Sequence, residues 1–297
     1  MTVGITGASG TIGTGLAESL RADGIAVRRF VRRPARTPDE ISWDPEGRSI
    51  DTAALESAGL TAVVHLAGAG VGDRRWTASY KDEILSSRVA GTETLAKALA
   101  GLPRRVALIS GSAIGYYGDT GTAIVDESAL PGSTFLADVV VRWESATAAA
   151  IDAGLRVAFA RTGLVVSRSG GAFGKMVPIF KAGIGGRLGS GRQWWSFISL
   201  TDEIRALRFL IDNELDGPFN LVAPHPVTNS EAVHDLGAAL HRPAALPVPS
   251  FALRTALGEF ASEITMSQGV EPRRLTAAGF TWNHPTLPQA LAAELAA

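Results

Sequence analysis

Between residues 3 and 13 the chain reads Val3-Gly4-Ile5-Thr6-Gly7-Ala8-Ser9-Gly10-Thr11-Ile12-Gly13, an apolar run that breaks at Thr6 into glycines spaced three apart. The stretch that follows is amphipathic, with Ile12, Leu16 and Leu20 on one face and Asp23-Gly24 as a stop. The pattern predicts a buried strand, a tight turn and a helix. A helix N-terminus offers unpaired N–H groups and the positive end of a dipole, so it holds anions. Gly7 permits the turn, Gly10 lets a diphosphate approach the backbone, and Gly13 lets helix and strand pack closely. Gly7, Ser9, Gly10, Thr11, Ile12 and Gly13 are therefore the candidate dinucleotide-binding residues. A glycine-rich turn without a ligand is the alternative.

Composition narrows the rest. The chain has 297 residues, 46% hydrophobic and 19% charged, enough apolar material for a full core. A net charge of −1 gives no electrostatic case for nucleic acid or an anionic membrane. With no cysteine, disulfides, thiolate nucleophiles and cysteine-ligated metals are excluded, and no metal site is expected. No apolar run reaches the roughly 18 residues of a membrane span. No basic-plus-apolar leader precedes the first strand, so a cytoplasmic protein is the expectation.

Residues 25–31 read as a second strand ending in Arg32-Arg33-Pro34. An NAD-preferring site places an acid about 20 residues beyond the glycines, on the ribose 2′-hydroxyl. Here no acid appears until Asp39, and arginine can fork onto a 2′-phosphate, so Arg32 and Arg33 point to NADP. Ordinary solvated arginines are the alternative. Residues 62–68 form another buried strand ending in Leu66, Ala67 and Gly68, small enough for a cofactor to lie on the backbone; His65 within it reads as a hydrogen-bonded core histidine. A long helical pattern covers 76–99, with Lys81 and Arg88 facing either a cofactor or, the preferred reading, solvent. The strand at 106–110 runs into Gly111-Ser112-Ala113-Ile114-Gly115-Tyr116-Tyr117-Gly118. Ser112, Tyr116 and Tyr117 thus fall at the carboxyl edge of a sheet strand, where open α/β sheets bind ligands. A helix over 135–153 carries Asp138, Arg142 and Glu144 on its polar side, and a sixth strand spans 155–163. The alternation implies a parallel sheet with right-handed crossovers, an α/β doubly wound fold.

After about residue 165 the rhythm changes. Residues 173–182 look helical, 183–191 hold five glycines, and the aromatics at 194–197 either stack on a substrate or close the core. Thr201 is expected to cap a helix reaching Asn213, and Thr228 or Asn229 another with Glu231 in its first turn. The last 48 residues look mostly helical. We expect a nucleotide-binding domain over 1–165, rejoined by segments near 200–228. A smaller α/β substrate lobe covers 166–297, with a C-terminal module from about 247.

Several segments carry a resemblance: Thr6-Gly7-x-x-Gly10-x-x-Gly13, Leu66-Ala67-Gly68, Ser112 with Tyr116-Tyr117-Gly118, Ser87-Arg88-Val89-x-Gly91-Thr92, Arg161-Thr162-Gly163, Gly189-Ser190-Gly191-x-Gln193 and Leu246-Pro247-Val248-Pro249. Together they resemble the extended short-chain dehydrogenase/reductase superfamily. Within it they are similar to an atypical group described as NAD-dependent epimerase/dehydratase-like or sugar-nucleotide-epimerase-like. The resemblance implies a Rossmann domain, a small substrate lobe, a nicotinamide dinucleotide and a carbonyl-binding role for Ser112. It adds Arg161 and Gly163 to the candidate cofactor contacts. Members of the superfamily use a Y-x-x-x-K pair for proton exchange, and this chain has none. Its lysines are 81, 97, 175 and 181, while Ile84, Thr120 and Gly121 lie four residues beyond the tyrosines. The helix that should bear the pair begins at Phe135, with Val139 and Val140 near the lysine position, and neither side chain can transfer a proton. One reading is an NADP-dependent oxidoreductase or epimerase, monomeric or dimeric, using Ser112 with Tyr116 or Tyr117 and an arginine such as Arg161 or Arg142. Asp138 or Glu144 could serve instead. A non-catalytic NADP-binding sensor or scaffold is the second reading. An enzyme that retains its cofactor while oxidising and re-reducing one carbon is the third.

Overall fold

The computed structural model describes residues 1–295. The opening stretch forms β1 (Thr2–Thr6), the glycine turn and α1 (Thr11–Ala22), whose buried side is Gly13, Leu16, Ala17 and Leu20. After β2 (Ala26–Val31) come elements that periodicity does not announce: β3 (Glu40–Asp44), the two-residue β4 (Ser49–Ile50) and α2 (Thr52–Ser57). Asp44 turns the β3–β4 connection by accepting from the Glu46 and Gly47 N–H groups. The series continues with β5 (Ala62–His65), α3 (Ala78–Ala100), β6 (Ala107–Ala113), a 3-10 turn (Ile114–Tyr117) and β7 (Ile124–Val125). Next are α4 (Phe135–Ser145), α5 (Ala148–Asp152) and β8 (Val157–Thr162). The single helix expected over 135–153 breaks at Ala146 and Thr147, where the Thr147 hydroxyl donates to the Glu144 carbonyl and competes with the helical ladder.

The remainder comprises β9 (Leu164–Val166), α6 (Gly171–Lys181), β10 (Trp194–Trp195), β11 (Phe197–Ser199), α7 (Leu200–Asp212), β12 (Gly217–Leu221), β13 (Val227–Thr228) and α8 (Asn229–Ala239). The chain then runs through α9 (Ser250–Leu257), α10 (Phe260–Thr265), β14 (Gly269–Val270), α11 (Arg273–Ala277) and α12 (Leu287–Leu295). The cap of α7 is Ser199, not Thr201: extended Ser199 accepts from the Asp202 N–H at 3.0 Å, and Thr201 lies inside the first turn. Thr228 and Glu231 form a reciprocal capping box on α8.

Eight strands make the main sheet in the order β12-β8-β6-β5-β1-β2-β3-β4, all parallel except β4. Alternate residues face opposite sides. Val3, Ile5, Val64 and Ile109 pack under α1 and α7, whereas Val63, Leu108 and Val157 pack under α3 and α5. This is the Rossmann architecture, with β12 returning from the second half of the chain to the sheet edge. A further core joins Phe173, Phe180, Trp195, Phe197, Leu236 and Leu291, so Trp195 and Phe197 close the core of the second half. Pairing of β7 with β14 ties the C-terminal segment to the first half. Among the described residues no helix is long and apolar enough to cross a membrane.

Candidate functional site

The glycine turn has the shape its chemistry needs. Gly7 has φ +65°, and a Cβ there would lie 2.9 Å from the Leu66 carbonyl oxygen. A Cβ on Gly13 would lie 2.3 Å from the Gly7 oxygen, so α1 can start this close to β1 only without a side chain. Ser9 and Gly10 are exposed; Thr11 and Ile12 are half-buried beside them. The neighbouring loop at 66–68 is pinned from beneath, because the Thr6 Oγ1 accepts from the Leu66 and Ala67 N–H groups at 3.0 and 3.2 Å. The same hydroxyl donates to His65 Nδ1 at 2.7 Å, which leaves the ring proton on Nε2. His65 is therefore the core histidine its context predicts, with burial and then Arg88 pushing its pKa down to about 4.

Arg88 corrects an expectation. Only partly exposed, it lies against the 66–69 loop, donating to the Ala69 and Ile84 carbonyls at 2.9 and 3.0 Å with its guanidinium over Trp143. Burial pushes its pKa down to about 10. Lys81 also has a partner, Glu259 of the C-terminal module, at 2.7 Å.

At the end of β2, Arg32 is exposed and borders a groove with Ser42, Trp43 and Asp51. Arg33 is held bidentately by Glu40 at 2.7 and 2.8 Å. The pairing of β3 with β2 brings Glu40 under the arginines. Hydrogen bonds from Arg33 and then from the Arg36 N–H pull the Glu40 carboxyl down to about 2. Of the two arginines, only Arg33 has a carboxylate partner among the described residues.

A line of polar side chains crosses the carboxyl ends of β6, β8 and β12, whose register sets Ser112 and Asn220 on either side of Arg161. Ser112 lies within β6 itself, one residue before its end. Its hydroxyl donates to Glu144 Oε1 at 2.6 Å. Arg161 forks onto both Glu144 oxygens at 2.8 and 2.9 Å and donates to the Tyr117 hydroxyl at 3.0 Å. Tyr117 donates to Asn220 Oδ1 at 2.7 Å. The guanidinium lies 3.5 Å from the ring centroid of half-buried Tyr116. With side chains only 4% and 12% exposed, Arg161 and Glu144 form a buried pair. Glu144 is thus not on the solvated side of α4; Asp138 is, paired with Arg142 one turn on. Burial pushes Tyr117 up to about 12 and outweighs the pull of Arg161, so Tyr117 stays a neutral donor near pH 7. For Arg161 itself, burial opposes the charge, but Glu144 more than restores it. Gly163 joins β8 to β9 and donates its N–H to the Leu221 carbonyl at 3.1 Å. Where the resemblance expects a Tyr-Lys pair, Phe135 packs on Trp76 and Val139 is 1% exposed.

Sequence reasoning missed Glu203. It is fully buried in α7, accepts from the Thr162 hydroxyl at 2.8 Å, and its Oε2 has no partner among the described residues. Burial pushes its pKa from 4.5 up to about 8, against the pull of Thr162. The folded state therefore holds a proton that the unfolded chain releases, and stability falls as pH rises through that window. Glu203→Leu is expected to stabilise the protein at pH 8 by about 2–4 kcal/mol and to flatten the pH dependence of unfolding. Parallel pH slopes for both proteins in urea titrations would contradict this.

Fold and glycine turn together define a Rossmann-type NAD(P)-binding protein. The chain belongs to the NAD dependent epimerase/dehydratase family, whose model matches residues 3–221, and a Domain of unknown function (DUF1731) matches residues 248–294. It is 45% identical over 291 residues to an epimerase family protein of Mycobacterium leprae, covering 97% of this chain and 94% of that one. It is 37% identical to the epimerase family protein SDR39U1 of Bos taurus, covering 98% of each. The human epimerase family protein SDR39U1, solved with NADPH, superposes with a TM-score of 0.89 at 34% identity over 99% of both chains.

Proposed function

We propose that this chain binds NADP(H) and acts as an oxidoreductase or epimerase on a small carbonyl or sugar-nucleotide-like molecule. The observation that carries the reading is the turn at residues 7–13, closed to any side chain at Gly13 and open to a diphosphate at Ser9 and Gly10. The NADPH in the human relative supports the same cofactor here. Residues 7–13 would hold the diphosphate, residues 66–68 and Gly163 would border the nicotinamide half, and Arg32 would meet the 2′-phosphate. Arg33 would contribute less because Glu40 already holds it. The bound dinucleotide supplies or accepts a hydride.

On the protein side, Arg161 keeps Glu144 satisfied through two hydrogen bonds, so Ser112 can turn from Glu144 to a substrate oxygen without stranding a charge. Tyr116 borders that network and Tyr117 supports it from behind. The sensor reading draws on the same geometry, because the Ser112 and Tyr117 hydroxyls both donate to protein acceptors without a substrate. We assign the nucleotide to residues 1–165 with the returning segment 200–228, and the substrate to residues 166–297. A monomer or homodimer in the cytoplasm fits the near-neutral charge and the lack of cysteine.

Fluorescence titration tests the assignment. NADPH is expected to bind at least tenfold more tightly than NADH, and Arg32→Ala to remove most of that preference, the size of one charge-assisted contact at about 1.5–3 kcal/mol. Equal affinities in the wild type would refute the role of Arg32.

A further inference from the structure

The C-terminal module reaches back to the ligand-binding edge of the sheet. Phe260 of α10 packs on Trp76 with ring centroids 5.4 Å apart, and Trp76 packs on Phe135 at 5.0 Å. Trp76 lies in the loop leaving β5, Lys81 in the first turn of α3, and Phe135 begins α4. These positions follow the carboxyl ends of parallel strands, where open α/β sheets hold ligands. Glu263 lies three residues after Phe260 and shares its face of α10. It is half-buried, and its Oε2 is sealed without a hydrogen-bond partner among the described residues. Lys81 stands at the same wall, its ammonium 2.7 Å from Glu259 Oε1 and 4.6 Å from the Phe135 ring centroid.

We propose that Glu263, carried to the cleft by the C-terminal module, is the residue that exchanges a proton with the bound small molecule, with Lys81 and Glu259 as its charge partners. This rests on the dinucleotide-dependent reading above. A carboxyl oxygen shut off from water with nothing to bond is costly when ionised, so the group favours its protonated form. Burial first, then the Glu259 charge, pushes its pKa up to about 7 against the pull of Lys81. An acid poised near neutrality gives and takes protons with equal ease. Phe135 and Val139 can do neither.

In the reducing direction the carbonyl carbon accepts the hydride that a reduced nicotinamide dinucleotide supplies. The carbonyl π pair becomes an O–H bond with the proton from Glu263, and the carboxylate is reprotonated from water. In the oxidising direction Glu263 carboxylate takes the hydroxyl proton. The other charged groups nearby are already occupied: Arg75 reaches the Thr255 carbonyl beside Gly258, and Lys175 pairs with Asp73 beyond Gly72. Lys81 is a positioning residue in this scheme.

Difference infrared spectroscopy from pH 5 to 9 reads the carboxylic acid directly. The wild type is expected to lose a carboxylic-acid band with a midpoint near pH 7 that Glu263→Gln lacks. Lys81→Met is expected to move that midpoint up by about one unit, since a favourable charge is lost. Glu203 titrates higher, so the Glu263→Gln difference assigns the band. In parallel, NADPH oxidation with 9,10-phenanthrenequinone as carbonyl probe is expected to fall about a hundredfold in kcat in Glu263→Gln and to lose its pH dependence. NADPH affinity is expected to stay within about twofold, because Glu263 belongs to none of the dinucleotide contacts. A Gln variant that binds NADPH and keeps both rate and pH profile overturns the assignment of Glu263 alone. So does a wild type in which no band near neutrality disappears with Glu263→Gln. Failure of the wild type to bind NADPH overturns the functional reading beneath it.

Discussion

Gly13→Ala is expected to weaken NADPH binding by at least a hundredfold while the protein stays folded. The new methyl would meet the Gly7 carbonyl oxygen at 2.3 Å and the Ala8 Cα at 2.9 Å. Both are backbone atoms, so no side chain can swing aside. The turn must open, and its N–H groups then no longer converge on one diphosphate. Folding should survive because α1 is anchored by Leu16 and Leu20 in the main core; overpacking of this kind costs about 1–3 kcal/mol. Gly10→Ala separates the two effects: its Cβ would lie 3.4 Å from the Gly7 oxygen, ordinary contact, so the turn keeps its shape while the methyl stands in the path of the diphosphate and weakens binding by that obstruction alone. Calorimetric titration with NADPH, alongside circular dichroism, checks both. If Gly13→Ala binds like the wild type, this turn does not hold the diphosphate.

Arg161→Met is expected to cost about 3–5 kcal/mol of stability, because it leaves the Glu144 carboxylate buried with only Ser112 as donor. The Tyr117 hydroxyl loses its donor in the same step. Adding Glu144→Gln to Arg161→Met removes the stranded charge and is expected to recover a large part of the loss, which a double-mutant cycle in urea would measure. A single-mutant loss below about 1 kcal/mol would mean that water reaches the pair and that the network is not sealed.

Both arguments use residues that were visible as candidates in the sequence, yet for different reasons. The glycine turn is legible because its constraint is local: residues 7 and 13 are six apart, and the clash that forbids a side chain is with the turn itself. The capping box at Thr228 and Glu231 is local in the same way. Glu144 is visible as a candidate but reads on the wrong side of its helix. It shares the face of Ala137 and Val140, seven and four residues before it, so the helix period turns it inward, and Arg161, seventeen residues on in another strand, supplies the charge that it meets there. Glu40 looks like a loop acid until β3 pairs with β2 and slides it beneath Arg33. Trp195 and Phe197 face a core assembled from α6, α8 and α12, which no pattern near residue 195 records. Glu203 is the extreme case, an acid in a charged first turn that reads as a dipole partner and is wholly enclosed.

The pairing of β14 with β7 sets an order of events during synthesis. Asn220 donates its amide to the Glu271 carbonyl, Ser196 bonds to Gln268 and Val270, and the Thr120 N–H finds its acceptor at Ser267. A nascent polypeptide exposes the nucleotide-binding turn first and these acceptors nearly last. Until residues 267–271 clear the ribosome, the Tyr117–Asn220 end of the polar line remains unfinished and open to water. Premature termination upstream of that point would yield a chain with its nucleotide loop intact and its site unsealed, a form that quality-control proteases should remove.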